Sequence, residues 1–462
     1  MSSRPWSERM AQDRERDRLS GRVARFAKVG AGLGGAAATF GANALFAGGD
    51  AQARNAKALK ETLGRLKGPL MKVAQMFATV PDLLPPEFAA ELTELQTNAP
   101  AMTGAFVRRR MAAELGPNWQ ARFGSFDLTP AAAASLGQVH RAVALDGRPL
   151  AVKLQYPDMQ SAVESDLGQL RTVLAIGRQM FGAIDTSEII VEISERIREE
   201  LDYEREAKAM RLYRDFFAGR DDIAVPSPHE DLSSSRLLTM DWLDGGGLAA
   251  FKGEDQETRN RIAKTLFEAW WTPLIKLGVI HGDPHLGNYS FTADFSHDGA
   301  GRLNLLDFGC IRIFPPSFVG GVVKLFHAMT ANDREGEAAA YRAWGFKGLT
   351  DDLMDVLHIW AKFIYGPLLD DRVRTVADGV APGEYGRREA FQVKRALDEK
   401  GPVTIPREFV FMDRAAIGLG AAFLHLSAEQ NWRALFEASL EGFSEEALAE
   451  RQAAALAAVG LG

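Results

Sequence analysis

Apolar residues recur at three- and four-residue steps early in the chain: Leu59, Leu63, Leu66, Leu70, Val73 and Phe77 share one face, which predicts an amphipathic helix. Pro81 to Pro86 interrupts that pattern, and Phe88, Leu92 and Leu95 begin a second helical stretch. Between residues 123 and 156 the period shortens to two. Arg141-Ala142-Val143-Ala144-Leu145 and Pro149-Leu150-Ala151-Val152-Lys153-Leu154 flank Asp146-Gly147, a strong hairpin signal. After Tyr156-Pro157 the pattern is helical to about Ala218, and Arg236 to Gly245 reads as a strand running into a linker. An apolar segment, Leu274 to Ile280, precedes the alternating Leu303-Asn304-Leu305-Leu306, a short strand. From Pro315 on, helical spacing returns in Val322, Leu325, Phe326 and Met329, then Leu353, Val356, Leu357, Trp360 and Phe363, then Phe409, Phe411, Ile417, Leu419, Phe423 and Leu424. The order predicts an α+β fold: an N-terminal segment (1–55), a helical extension (56–122), a strand-bearing lobe (123–244) and a mostly helical lobe (245–462).

Composition narrows this only a little. The 462 residues are 46% hydrophobic and 25% charged, ordinary for a globular chain with two to three domains. A net charge of −7 argues against nucleic acid as the main partner. The one cysteine, Cys310, excludes an intramolecular disulfide framework and fits a reducing compartment. Met1 to Lys28 is arginine-rich and has no apolar h-region, so it is not a secretory signal. Val29 to Gly49 carries no charge and is dominated by Gly and Ala, with Gly30 and Gly34 spaced as small-xxx-small. Three readings of that run stay open: a membrane-inserted helix, peripheral lipid contact, or a linker and small-residue helix packing.

The chemistry concentrates in residues 281–309. His281-Gly282-Asp283-Pro284-His285-Leu286-Gly287-Asn288 followed by Asp307-Phe308-Gly309 has the order and separation of a kinase-type phosphoryl-transfer centre. Asn288 and Asp307 would hold Mg²⁺, a hard ion that takes one or two carboxylates and completes its shell with water and phosphate oxygens. Asp283 is left to orient or deprotonate an attacking hydroxyl or water. Lys153 ends the Ala-Val-Lys strand and is placed to reach nucleotide phosphates. The stretch before it, Ala132, Ala133, Ala134 and Ser135, is expected to form an alanine-rich loop over the phosphates, and Met240 and Trp242 lie where linker backbone would read adenine. The charged run Glu199 to Glu206 is expected to form one helix. At 100° per residue Glu206 then lies about 40° from Asp202 and about 120° from Glu200, so the helix offers carboxylates to two neighbours, one of them Lys153. Lys72 and Gln75 share a face of the early helix, ordinarily a solvated pair.

Together these motifs resemble the UbiB/AarF family of atypical kinase-like proteins, the ubiquinone-biosynthesis kinase-like group, from about Lys57 to Trp432. Ala132-Ala133-Ala134-Ser135 with Gly137-Gln138-Val139-His140 is similar to the family's replacement for a glycine loop. Lys72-Val73-Ala74-Gln75 resembles its Lys-x-Gly-Gln signature with Ala for Gly, and Glu200-Leu201-Asp202 its Glu-x-Asp motif. The resemblance implies a bilobal protein-kinase-like fold, ATP and Mg²⁺ as cofactors, and Glu206 as the helix partner of Lys153. It implies that Lys72 and Gln75 lie near Glu200 and Asp202 as a lid, favouring ATP hydrolysis or a small or lipid substrate over protein phosphorylation. It also implies support of ubiquinone or related lipid metabolism, a cytoplasmic protein or one peripheral at the inner face of a membrane, with an isoprenoid or quinone-like lipid, a membrane surface and a second copy of the chain as candidate partners. The aromatic stripes of the last third read as core, with an isoprenoid cleft as the sharper reading. Two other functions remain open: a small-molecule phosphotransferase of the aminoglycoside or choline kinase sort, and a nucleotide-gated lipid-binding regulator without turnover.

Overall fold

The computed structural model describes residues 102–157 and 194–462 except 135, 158, 196, 284, 293, 296–298, 300, 347 and 379–406, together with 159 and 163. Almost all of these belong to one compact unit, Ala101–Gln155 with Phe181–Gly462. The predicted extension with Lys72 and Gln75, and Ser135, lie outside the described residues.

Helix α1 (Gly104–Leu115) and a 3₁₀ turn (Trp119–Arg122) lead into strands β1 (Ser125–Ala134), β2 (Gly137–Val143) and β3 (Pro149–Gln155). The Asp146-Gly147 turn joins β2 to β3, with Val143 opposite Pro149 and Gly147 at φ +89°, a conformation open to glycine. Helix α2 (Tyr203–Phe216), β4 (Ile223–Ala224) and β5 (Leu237–Asp241) follow. The sheet order is β1-β2-β3-β5, antiparallel throughout. Because side chains alternate along a strand, Leu150, Val152 and Leu154 of β3 enter a core with Val107, Met111, Trp119 and Phe123. Ala151 and Lys153 therefore project from the opposite face, and Ala151 joins the large core that contains α2.

The remaining chain is mostly helical: α3 (Gln256–Leu277), the short strands β6 (Val279–His281), β7 (Tyr289–Phe291), β8 (Leu303–Leu305) and β9 (Ile311–Ile313), then α4 (Pro316–Ala331), α5 (Arg334–Ala343), α6 (Asp351–Leu369), α7 (Arg407–Leu426), α8 (Trp432–Ser439) and α9 (Glu445–Val459). Caps explain several boundaries. Asp255, Thr350, Asn431 and Ser444 accept amides at the starts of α3, α6, α8 and α9, and α3 ends on Gly278 in the left-handed region. Trp270, Phe267, Phe326, Phe436 and Trp432 are fully buried in this core, each contributing roughly 1.5–3 kcal/mol by burial. Strands β6 and β9 pair antiparallel, and β8 pairs with both β4 and β7, so two small sheets carry the loops of interest. Among the described residues no helix is long and apolar enough to cross a membrane.

Two local expectations change. The alanine-rich stretch is not a loop: Ala132, Ala133 and Ala134 belong to β1 and face Val139, Gln138 and Gly137 of β2. Gly137 allows this, since a Cβ there would lie 2.3 Å from Leu154 O on the neighbouring strand. The charged run is not one helix either. Helical residues 197–200 end at Leu201 and Asp202, whose amides close 3₁₀-type bonds to Arg198 O and Glu199 O. Asp202 then caps α2, accepting from the Glu204 and Arg205 amides at 3.1 and 3.0 Å. Competition between capping and helix continuation is the physical reason, because a short carboxylate satisfies orphan amides better at the N-cap than inside a helix.

Candidate active site

Strand β3 carries Lys153 on the face away from Val152, where its ammonium is buried between two carboxylates. Nζ lies 2.7 Å from Glu206 Oε1 and 3.0 Å from Asp307 Oδ1, and 5.2 Å from the Tyr203 ring centroid. Glu206 sits in the first turn of α2, which the Asp202 cap orients. Burial would lower the Lys153 pKa, but the charges of Asp307 and Glu206 outweigh it and hold the pKa well above that of an ordinary lysine. Burial pushes Glu206 up to about 7 against the pull of Lys153. One cation is shared by two carboxylates, so the lysine stays charged while burial holds Glu206 above the ordinary carboxylate range.

Asp307 follows β8 in a left-handed conformation (φ +58°), which an aspartate tolerates by bonding locally; the Gly309 amide donates to its Oδ1 at 3.2 Å. Phe308 is fully buried and anchors the turn, its ring centroid 5.4 Å from Tyr213 of α2 and 5.7 Å from His281. His281 Nε2 donates to Leu306 O at 3.1 Å, so the histidine of the first loop fixes the residue before Asp307. Asn288 Nδ2 donates to the backbone oxygen and to Oδ2 of Asp283 at 3.0 and 3.2 Å, and the Asn288 carbonyl accepts from the Leu306 amide at 2.8 Å. With its nitrogen bonded to Asp283, Asn288 would offer its side-chain oxygen to a cation. Asp307 supplies a carboxylate whose side chain is 33% exposed. One amide oxygen and one carboxylate fit Mg²⁺ completed by phosphate and water. Among the described residues no three His, Cys, Asp or Glu side chains form a metal cage by themselves.

The other sequence candidates divide. Glu200 is buried and accepts the Cys310 thiol at 3.1 Å, and its neighbour Glu199 pairs with Arg312 at 3.0 Å, which ties this carboxylate segment to the chain after Asp307-Phe308-Gly309. Asp202 serves as the α2 cap. Met240 lies opposite Ala151 in the ladder, and the Trp242 amide donates to Pro149 O at 3.0 Å, so that amide is committed to the sheet and is not available to a base. The Trp242 ring instead lies under Arg141 at 4.7 Å, with its Nε1 donating to Asp244.

Sequence reasoning missed Tyr203 and a buried relay behind the alanine hairpin. The Met102 amide donates to Gln138 Oε1 at 2.8 Å, Gln138 Nε2 lies 2.7 Å from His140 Nε2, and His140 Nδ1 lies 2.9 Å from Asp127 O. Burial lowers the His140 pKa, so the ring is neutral, accepting at Nε2 and donating at Nδ1. The signal was present in Gln138-x-His140, two polar residues on one face of a strand, which in a buried strand must find partners.

Residues 94–340, more than half the chain, match the family described as the ABC1 atypical kinase-like domain. The atypical kinase coq-8, mitochondrial, of Caenorhabditis elegans is 32% identical over 317 residues, covering 68% of this chain and 42% of that protein. The atypical kinase COQ8, mitochondrial, of Saccharomyces cerevisiae is 28% identical, covering 66% of this chain and 60% of that one. The chain thus spans about half the length of the curated relatives it matches. Among solved structures, the complex of Rv3197 with erythromycin from Mycobacterium tuberculosis superposes with a TM-score of 0.58 at 26% identity, over 83% of this chain and 95% of that one. The fold is α+β and kinase-like.

Proposed function

The chain belongs to the ABC1 atypical kinase-like family, and on that premise we propose that its site binds Mg-ATP and transfers or hydrolyses the terminal phosphoryl group in support of ubiquinone or related lipid metabolism. The observation that carries this reading is the Lys153 ammonium held between Glu206 and Asp307, together with Asn288 anchored on Asp283. Lys153 binds and orients phosphate oxygens, and Glu206 holds Lys153 in place. Asn288 and Asp307 would hold Mg²⁺, which supplies charge neutralisation at the phosphoryl oxygens when bound. Asp283 accepts the proton of the attacking hydroxyl or water through its carboxylate, positioned by the Asn288 amide. Catalysis by this chain is then mainly positioning and electrostatic stabilisation.

An acceptor that is a lipid or other small molecule is part of the same proposal, as is action in the cytoplasm or at the inner face of a membrane. A homodimer belongs to the proposal as well. The test is ATP turnover by purified protein, with and without acidic-lipid vesicles and with Mg²⁺ removed by a chelator. Asp307→Asn should lose about 100-fold or more of the rate, as loss of a charge-stabilising group in phosphoryl transfer does. Equal turnover and equal Mg-ATP binding by wild type and Asp307→Asn would refute the assignment. Binding without turnover under every condition would favour the nucleotide-gated regulator.

A further inference from the structure

Helix α9 contributes no residue to the candidate site yet is bonded to both of its halves. Gln452, 8% exposed, donates from Nε2 to Leu277 O and to Phe314 O, each at 2.8 Å. Those two carbonyls bracket the root of the β6–β9 ribbon: Leu277 precedes Gly278 and β6, Phe314 follows β9, and the Phe314 amide bonds Gly278 O at 2.7 Å. Gly278 is required for that approach, because a Cβ there would lie 2.4 Å from Gln452 Nε2. Arg451 adds a bond from Nε to Lys276 O at 3.1 Å.

The far end of α9 reaches α2. Lys208, two positions after Glu206, donates from Nζ to Gly460 O at 2.9 Å. Gly460 caps α9 in the left-handed region, where the last carbonyls of the helix carry partial negative charge and favour a cation. Leu456 and Val459 are buried between these two anchors, and Leu448 is buried one turn before Gln452. The β6–β9 ribbon delivers the loop with Asp283 and receives the chain leaving Asp307, while α2 delivers Glu206.

We propose that α9 is an intramolecular brace, with Gln452 and Lys208 as positioning residues that set the ribbon and α2 in register so that Glu206 and Asp307 meet on Lys153. The consequence for activity rests on the function proposed above, but the geometric claim does not. Cys310 is the one cysteine of the chain, buried, donating to Glu200 Oε1 at 3.1 Å and placed immediately before β9, so its rate of reaction with a thiol reagent reads opening of the ribbon in the native protein.

The experiment compares Cys310 labelling, thermal midpoint and Mg-ATP kinetics in full-length wild type, Lys208→Met, Lys208→Arg, Gln452→Met and the double Met variant. Lys208 is half-buried and Gln452→Met keeps side-chain length, so the single variants are expected to fold. Lys208→Met should label about tenfold faster with its thermal midpoint unchanged and its KM for Mg-ATP raised, and Lys208→Arg, which retains a cation for Gly460 O, should keep the wild-type rate. The double variant should label more slowly than the product of the two single effects, because one brace is being removed twice. Unchanged labelling in both single variants, or acceleration that only follows a falling midpoint, would overturn the proposal and leave α9 a general support. Accelerated labelling in a protein that shows no ATP binding would leave the brace standing and refute the functional reading instead.

Discussion

Replacing Lys153 by Met removes the ammonium but keeps most of the side-chain volume, so the consequences are chiefly electrostatic. In the wild type Glu206, fully buried, has its pKa pushed up to about 7 from an ordinary 4.5, and Lys153 stays charged across neutral pH. A raised folded pKa contributes stability that is complete below the unfolded value and is lost as pH rises through the folded one. Without Lys153 the folded pKa of Glu206 rises further, because the neighbour that opposed burial is gone, so the loss continues to higher pH in the variant. Lys153 itself, whose folded pKa is raised above 10.5, contributes a constant amount below that pH. At pH 6 the difference between the two proteins is then the lost charged contact with Asp307, about 2 kcal/mol. Above pH 7 it grows by about 1.4 kcal/mol per pH unit, reaching about 4 kcal/mol at pH 8.5, within the range for removing one partner of a buried pair. Urea unfolding of both proteins at pH 6 and 8.5 measures this directly. A destabilisation equal at the two pH values, or larger at pH 6, would refute the picture of Glu206 as a buried acid whose ionisation Lys153 favours.

Two further substitutions test the hairpin over the site. Gly137→Ala puts a methyl group against Leu154 O, a backbone atom that cannot swing away, and should destabilise the protein by about 1–3 kcal/mol in urea unfolding; an unchanged midpoint would mean that β2 and β3 are further apart than described. Gln138→Leu leaves the Met102 amide and His140 Nε2 without their partner in a buried setting and should cost about 1–3 kcal/mol, whereas a neutral result would show that the relay does not hold the hairpin.

What could be read from the sequence followed from locality. Lys153 was legible because a strand's alternation fixes which face a residue takes, and the apolar neighbours Val152 and Leu154 mark the other face. The contact of Asp283 with Asn288 was legible because the two lie 5 positions apart in one loop. The break at Leu201-Asp202 was hidden by a charged run that scores as helix throughout, although an aspartate followed by Glu204 and Glu206 is also an N-cap signature. Alanine has little strand preference, so the sequence alone suggests a loop there, and cross-strand pairing with Gly137 to Val139 overrides it. Trp242 shows the limit of motif reading: whether a strand-end amide is free depends on register, which no single strand's sequence states. Gln452 was invisible for a stronger reason, since its partners lie 138 and 175 positions away and a lone buried amide leaves no periodic trace.

The charge count of the site explains how its parts act together. One ammonium faces two carboxylates, so the Lys153–Glu206–Asp307 cluster carries a net negative charge whenever Glu206 is ionised. Two of the three ammonium donors of Lys153 are engaged, one by Glu206 and one by Asp307, and Glu206 is the more deeply buried of the two partners. An anion arriving without a cation would add charge to a cluster that is negative when Glu206 is ionised, whereas in the function proposed above the partly exposed Asp307 would be the carboxylate to hold a divalent cation, which would supply the opposing charge and leave Lys153 to Glu206 and phosphate. An exchange of partners by Asp307 is what the chelator arm of the turnover experiment would interrogate, and it would require Asp307 to be the more exposed of the two carboxylates, as its 33% exposure against 1% for Glu206 makes it.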